Sequence, residues 1–170
     1  MSLTAQEIAQ QRAAIVAEAL TWRGTPYVPE ARVKGGGCDC LTLIAGIFET
    51  VLGPIDVPHY AKDWHQHNTA ELYLEGKDGE PGVLGFCVEV DAPPARAPLP
   101  GDIVLWKFGH TFSHGAVVID WPVVIQSYSN RPVSREDAVR SGTLARYFEN
   151  IAERGQPRPR RFFTLRQWAE

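Results

Sequence analysis

A thiol, an imidazole and a carboxamide are the groups in this sequence whose types and spacing could do nucleophilic chemistry together. The thiol is Cys40, in Gly35-Gly36-Gly37-Cys38-Asp39-Cys40-Leu41-Thr42-Leu43. Asp39 stands where an N-cap would, with Thr42 three residues on. Leu41, Ile44, Ala45, Phe48, Val51 and Leu52 then recur at helical spacing until Gly53. The pattern predicts a helix with Cys40 at its first position. Unpaired N–H groups and partial positive charge at a helix N-terminus favour thiolate over thiol, and such settings bring cysteine pKa values to roughly 3.5–7.5. Asp39 works against this if its carboxylate points at the sulfur, whereas a carboxylate occupied in capping backbone N–H groups turns away from it. The competing reading of Cys40 is a small buried core residue, the usual fate of a free cysteine.

A nucleophilic thiol needs a base to take and return its proton, and a group that fixes the base in one tautomer. Of the five histidines, His59, His65 and His67 fall in a polar stretch and are expected to be exposed, and His110 lies in a Gly-His-Thr turn. Only His114 sits in an apolar alternating pattern, which puts His114, Ala116 and Val118 on one strand face. A hairpin turning at Asp120 would set Val118 opposite Pro122, Ala116 opposite Val124 and His114 opposite Gln126, with directly opposed Cβ atoms about 4.5–5.5 Å apart. Gln126 would hold one imidazole nitrogen while the other faces Cys40. A satisfied polar pair in a half-buried sheet is the competing reading, and a one-residue slip would send Gln126 to the other face.

The elements that must position these groups follow in order. Thr4-Ala5-Gln6-Glu7 is a capping box ahead of Ile8, Ile15, Val16, Ala19 and Leu20 on one helical face, closed by Gly24. Trp22 to Tyr27 turns into an extended segment running through Val33 to the glycines. Tyr60 to Tyr73, with Trp64 and Leu72, is expected to be helical, Gly76 to Gly82 turn-like, and Leu84 to Val90 a short strand. Asp91 to Pro100 reads as a surface connection. Ile103–Trp106, Phe112–Ile119, Val123–Tyr128 and Arg161–Leu165 are expected strands, and Arg135 to Ala152 an expected polar helix. Helices first and an antiparallel sheet after them make an α+β fold.

The chain has 170 residues and a net charge of −3, enough for one domain with a genuine core. With a pI near 6.0 it has no general electrostatic attraction to nucleic acid or anionic membrane. Arg158, Arg160 and Arg161 read as a solvated edge. No signal-peptide pattern or apolar run of membrane-spanning length is present, so synthesis in the cytoplasm is expected. Three cysteines, two of them one residue apart, suit a thiol enzyme better than a disulfide framework. Cys38, Cys40, Cys87 and the histidines lack the spacings of common zinc modules, so no metal or cofactor is expected.

With Cys40, His114 and Gln126 in that order, the chain resembles the NlpC-type cell-wall peptidases, a papain-like family of cysteine endopeptidases. The resemblance rests on Trp22-Arg23-Gly24-Thr25-Pro26-Tyr27, Gly37-Cys38-Asp39-Cys40, Gly101-Asp102-Ile103-Val104-Leu105-Trp106, Ser113-His114-Gly115-Ala116-Val117-Val118-Ile119 and Val124-Ile125-Gln126-Ser127. Pro58-His59-Tyr60 with Asp63-Trp64 looks like the subgroup encoded in phage tail and gene-transfer-agent clusters. The resemblance implies a single papain-like domain over residues 1–170. It implies hydrolysis of peptidoglycan stem peptides, typically between D-glutamate and a diamino acid. Cys40 would attack, His114 would shuttle the proton, Gln126 would orient His114, and Tyr27 and Asp39 would line the substrate and oxyanion side. Leu41-Thr42 replace the usual Ser-Gly after the nucleophile, and Gln126 replaces the commoner histidine. Two other classes stand beside this one: a structural phage-tail protein that kept the fold without the chemistry, and an acyl or amide transferase on the same scaffold.

Overall fold

The computed structural model describes residues 2–61, 71–74, 82–129, 131–138 and 158–169. Helix α1 spans Ala5–Thr21, and its capping box is the one read from the sequence: Thr4 Oγ1 accepts from Glu7 N while Glu7 accepts from Thr4 N. The helix ends at Thr21 with Trp22 as C-cap, so Gly24 lies in the turn beyond it. Two short strands, β1 (Arg32–Val33) and β2 (Gly37–Cys38), pair antiparallel around the glycine run and lead into helix α2, Cys40–Leu52.

The main sheet holds six antiparallel strands: β3 (Cys87–Val90), β4 (Ile103–Phe108), β5 (Thr111–Asp120), β6 (Val123–Gln126), β7 (Ser134–Asp137) and β8 (Arg160–Leu165). Their spatial order is β3-β8-β4-β5-β6-β7. The predicted α+β fold is therefore the observed one. Alternation along the strands divides the side chains between two faces. Ile103, Leu105, Val117, Ile119, Ile125 and Phe163 form the core beneath α1 and α2, with Ile15, Leu41, Ile44 and Phe48. Val104, Trp106, Ala116, Val118, Val124 and Phe162 cluster on the opposite face. Burial of these apolar surfaces is the main favourable term in holding helices on sheet.

Several expectations change. Leu84 to Phe86 belong to turns, because Leu84 N donates to Tyr73 O and Cys87 N to Leu84 O; the strand starts only at Cys87. Arg135 to Asp137, expected to begin a helix, belong to the edge strand β7, paired residue for residue with β6; Ala138 lies in a turn, and the rest of that expected helix, 139–152, lies outside the described residues. So do 62–70 and 75–81, and with them Trp64, His65 and His67. Glu71 to Leu74 is not helical: Leu74 N closes a turn onto Glu71 O, and Val83 and Leu84 donate to Leu72 and Tyr73. The basic cluster is not simply solvated. Arg158 stacks on Phe108 at 4.0 Å, Arg160 lies over Trp121 at 5.3 Å, and Arg161 makes two hydrogen bonds to Glu89.

Candidate active site

Cys40 is the first residue of α2, as its sequence predicts, and the cap explains why the helix starts there. Asp39, 4 % exposed, accepts from Leu41 N at 3.1 Å, Thr42 N at 3.0 Å and Thr42 Oγ1 at 3.0 Å through Oδ1. Its Oδ2 accepts from Glu30 N at 2.8 Å and Tyr60 Oη at 2.6 Å. Both carboxylate oxygens are thus spent on the cap and on the preceding loop. Asp39 is an organiser of the backbone around the thiol rather than a group aimed at it. His59, exposed as expected, pairs with Glu30 on the same loop.

The thiol meets β5 at a defined place. Val118 N donates to Asp102 O, and Gly101 N to Val118 O, so the peptide groups of Val118 point toward β4. Strand alternation turns those of Val117, Gly115 and Ser113 the other way, toward β6. Pairing with β6 runs only as far as Val117 opposite Ile125. Beyond it the β5 edge is taken by Cys40: Sγ donates to Ser113 O at 3.8 Å, and the Gly115 N–H favours its thiolate form. The sulfur therefore sits against the peptide groups on both sides of His114.

Gly115 is needed for this approach. A Cβ there would lie 2.7 Å from Ile44 Cδ1 and 3.0 Å from both Leu105 Cδ2 and Tyr73 Oη.

His114 is 6 % exposed and shares its face with Ala116 and Val118, as predicted. Its ring is boxed by Trp106 at 5.9 Å and, edge to face, by Phe108 at 5.8 Å and Tyr128 at 5.4 Å between centroids. Nε2 and Gln126 Oε1 are 2.8 Å apart. With Oε1 as acceptor, Nε2 carries the proton and Nδ1 the lone pair. The partner is the predicted one but the register is not. Val118 pairs with Val124 instead of Pro122, and the hairpin closes through an irregularity between Val118 and Asp120. A two-residue shift preserves the face, so Gln126 reaches His114 diagonally, a contact within range of long side chains. The amide nitrogen of Gln126 is buried without a hydrogen-bond partner among the described residues.

The electrostatics differ from the helix-terminus expectation. Burial pushes the Cys40 thiol up to about 12 and the Asp39 charge adds to the effect, outweighing the Tyr73 hydroxyl and the N–H groups of Gly115 and Cys40. Burial holds His114 down at about 4, with Arg158 acting in the same direction and the Gln126 hydrogen bond against it. The resting pair is neutral thiol and neutral imidazole. Tyr27 is half-buried, paired through its backbone with Cys38, and its hydroxyl is raised to about 12 by burial and by the proximity of Cys40 and Asp39. The structure thus gathers Tyr27, Asp39 and Cys40 on one side and His114 with Gln126 on the other, meeting along β5.

Sequence reasoning missed Tyr73, which is fully buried with its hydroxyl toward Cys40 and Gly115. It missed Tyr60 on Asp39 as well, and no local periodicity marks either residue. Among the described residues no three histidine, cysteine, aspartate or glutamate side chains cluster as a metal site, and Cys38, Cys40 and Cys87 are free thiols. No helix of the described residues is long and apolar enough to cross a membrane.

No protein-family model and no curated protein matches the sequence. Solved structures do match by shape. The peptidoglycan hydrolase RipB of Mycobacterium tuberculosis is 17 % identical, with a TM-score of 0.52 over 95 % of this chain and 67 % of its own. NlpC1 of Trichomonas vaginalis is 16 % identical, with a TM-score of 0.53 over 92 % of this chain. The chain has the NlpC/p60 fold. An NLP/P60-family lipoprotein-like protein of Staphylococcus aureus matches at a TM-score of 0.50 and 18 % identity over 82 % of this chain. The chain spans 44 % of the length of NlpC1 and 39 % of that of the Staphylococcus protein, so the NlpC/p60 likeness is one of fold.

Proposed function

We propose that this protein is a cysteine endopeptidase that hydrolyses amide bonds of peptidoglycan stem peptides, of the type joining D-glutamate to a diamino acid. The observation carrying the reading is the placement of the Cys40 thiol, at a capped helix N-terminus, against the β5 peptide groups flanking His114, while Gln126 holds that imidazole at 2.8 Å. That a neighbour of the same fold is a peptidoglycan hydrolase supports the substrate class.

Because thiol and imidazole rest neutral, the mechanism is base-assisted. The Cys40 proton passes to Nδ1 of His114 as sulfur attacks the carbonyl carbon, and Gln126 Oε1 holds the Nε2–H of the imidazolium that forms. Backbone N–H at the start of α2 is available to the oxyanion, with Tyr27 lining that side. The imidazolium returns the proton to the leaving amine, and water, activated by the same ring, hydrolyses the thioester.

The single domain and the phage-tail setting belong to this reading. In it the protein is made in the cytoplasm and reaches the wall with a tail. The Pro58-His59-Tyr60 motif behind the tail assignment is engaged at the site, Tyr60 on Asp39 and His59 on Glu30. The protonated resting thiol favours one second reading, an inactive tail component.

The test is mass spectrometry of purified stem-peptide fragments incubated with the protein and with Cys40→Ala. New fragments from the parent alone are expected. Transfer products in place of hydrolysis products would make it a transferase, and no products with an inert Cys40 would make it the inactive component.

A further inference from the structure

The mechanism leaves the Tyr73 hydroxyl, buried at the site, without a task. Tyr73 comes from the short segment Glu71 to Leu74, held by Leu84 N on Tyr73 O and by Phe112 N on Glu71 Oε2 at 3.3 Å. Its side chain is 0 % exposed, and its hydroxyl has no aligned hydrogen-bond partner among the described residues. A buried hydroxyl in that state costs stability, and natural structures carry few of them. Its position accounts for it. The oxygen lies 3.0 Å from the Cβ that Gly115 lacks, beside the N–H that the sulfur faces.

We infer that Tyr73 is a catalytic residue of the Cys40 reaction, its O–H being the hydrogen-bond donor reserved for the sulfur once the thiol has lost its proton. The inference rests on Cys40 being the nucleophile. In the resting state the weak acceptor SH leaves the hydroxyl unspent. When the S–H bond breaks, the proton goes to Nδ1 of His114 and the electron pair stays on sulfur. Tyr73 then donates to that pair until it forms the S–C bond and the carbonyl π pair moves onto oxygen. Tyr73 keeps its own proton throughout, because burial and the nearby Cys40 and Asp39 hold its hydroxyl well above the usual tyrosine range. The N–H groups of Gly115 and Cys40 act on the sulfur beside Tyr73, and the other side chains near it cannot take its place. Asp39 is spent on the cap, Tyr60 donates to Asp39, and the Tyr27 hydroxyl is engaged with Ser129.

The experiment compares full-length parent, Tyr73→Phe and Cys40→Ala. It measures iodoacetamide alkylation of Cys40 from pH 6 to 11, resolved by mass spectrometry, together with stem-peptide hydrolysis and thermal unfolding. Tyr73→Phe keeps the ring and deletes an unpartnered oxygen, so its melting temperature is expected to hold or rise. Alkylation of Cys40 at a given pH and kcat are expected to fall roughly ten- to a hundredfold, the scale of a hydrogen bond to a charged group, with KM little changed. Unchanged alkylation and kcat would overturn the inference, making Tyr73 core packing. Faster alkylation would overturn it as well, making Tyr73 a cover over the thiol, and so would a lower melting temperature with unchanged kinetics. Hydrolysis surviving in Cys40→Ala would instead remove the nucleophile assignment itself, an outcome separable from the others.

Discussion

Two thiols separated by one residue are both raised by burial, Cys38 to about 11 and Cys40 to about 12, so what separates them is what each sulfur can reach. Cys38 is fully buried between Tyr27 and Ser127, whose Oγ donates to the Cys38 carbonyl at 3.2 Å. Cys40 is half-buried and reaches the β5 edge. Cys38→Ser is therefore expected to keep most of the hydrolysis while Cys40→Ser loses it, read as kcat on stem peptides; the reverse pattern would move the nucleophile. Gln126 gives the second residue-scale prediction. Gln126→Leu leaves the buried Nε2–H of His114 without an acceptor, which costs about 1–3 kcal/mol and is expected to lower kcat at least tenfold. Gln126→His restores an acceptor nitrogen on the same face and is expected to stay within a few-fold of the parent. Full activity in both variants would dismiss Gln126 as the orienting group. The sequence led to this residue through a register two positions off, and the error was harmless because strand alternation has period two. Tyr73 was unreadable for a different reason: its role depends on a contact across 33 positions of chain, which no short-range pattern encodes.

At the scale of elements, α2 shows which parts of a helix are local and which are not. Its start was legible because a cap is a matter of three residues, Asp39, Leu41 and Thr42, and its inner face because apolar spacing records burial. Gly46 carries no such record. It sits mid-helix, where alanine would ordinarily stabilise by about 1 kcal/mol. A Cβ there would stand 2.6 Å from Trp22 Cζ2, on the ring that closes α1 onto α2. Trp22 is 4 % exposed and its Nε1 donates to Glu18 at 2.9 Å, so the ring has little room to retreat. Gly46→Ala is expected to lower stability by about 1–3 kcal/mol, the range of overpacking, in denaturant unfolding; a gain would mean the two helices can part. The edge strand β7 failed to announce itself for the converse reason. Ser134-Arg135-Glu136-Asp137 is polar and short, so its strand character comes from backbone pairing with β6 and not from side-chain pattern.

Burial of a titratable side chain has different consequences for the whole molecule at Asp102 and at His114. Asp102, 0 % exposed, holds Arg12 at 3.0 Å and Arg96 at 2.7 Å, and Arg12 also donates to Thr164 Oγ1 and stacks on Trp168. This network ties α1 to the start of β4 and the end of β8, a purpose that the Gly101-Asp102 motif did not disclose. His114 is buried as a neutral ring, with Arg158 acting alongside that burial against its protonation, and it makes the fold sensitive to acid. Its ordinary value is 6.5 and its folded value about 4. Above pH 6.5 the ring is neutral in both folded and unfolded chains, and its contribution is fully present. As pH falls toward 4 the unfolded chain takes up a proton that the folded chain refuses, so stability is lost through that window. Below 4 both forms bind it and the loss ends, having reached about 3 kcal/mol. His114→Gln removes this term while leaving every carboxylate in place. Urea unfolding of parent and variant at pH 7, 6, 5 and 4 is expected to show the parent losing more stability than the variant between pH 7 and 4, by up to that amount. Parallel curves would mean that water reaches the ring. The same burial that weakens the fold in acid keeps Nδ1 unprotonated throughout the neutral range, which a base facing a protonated thiol requires.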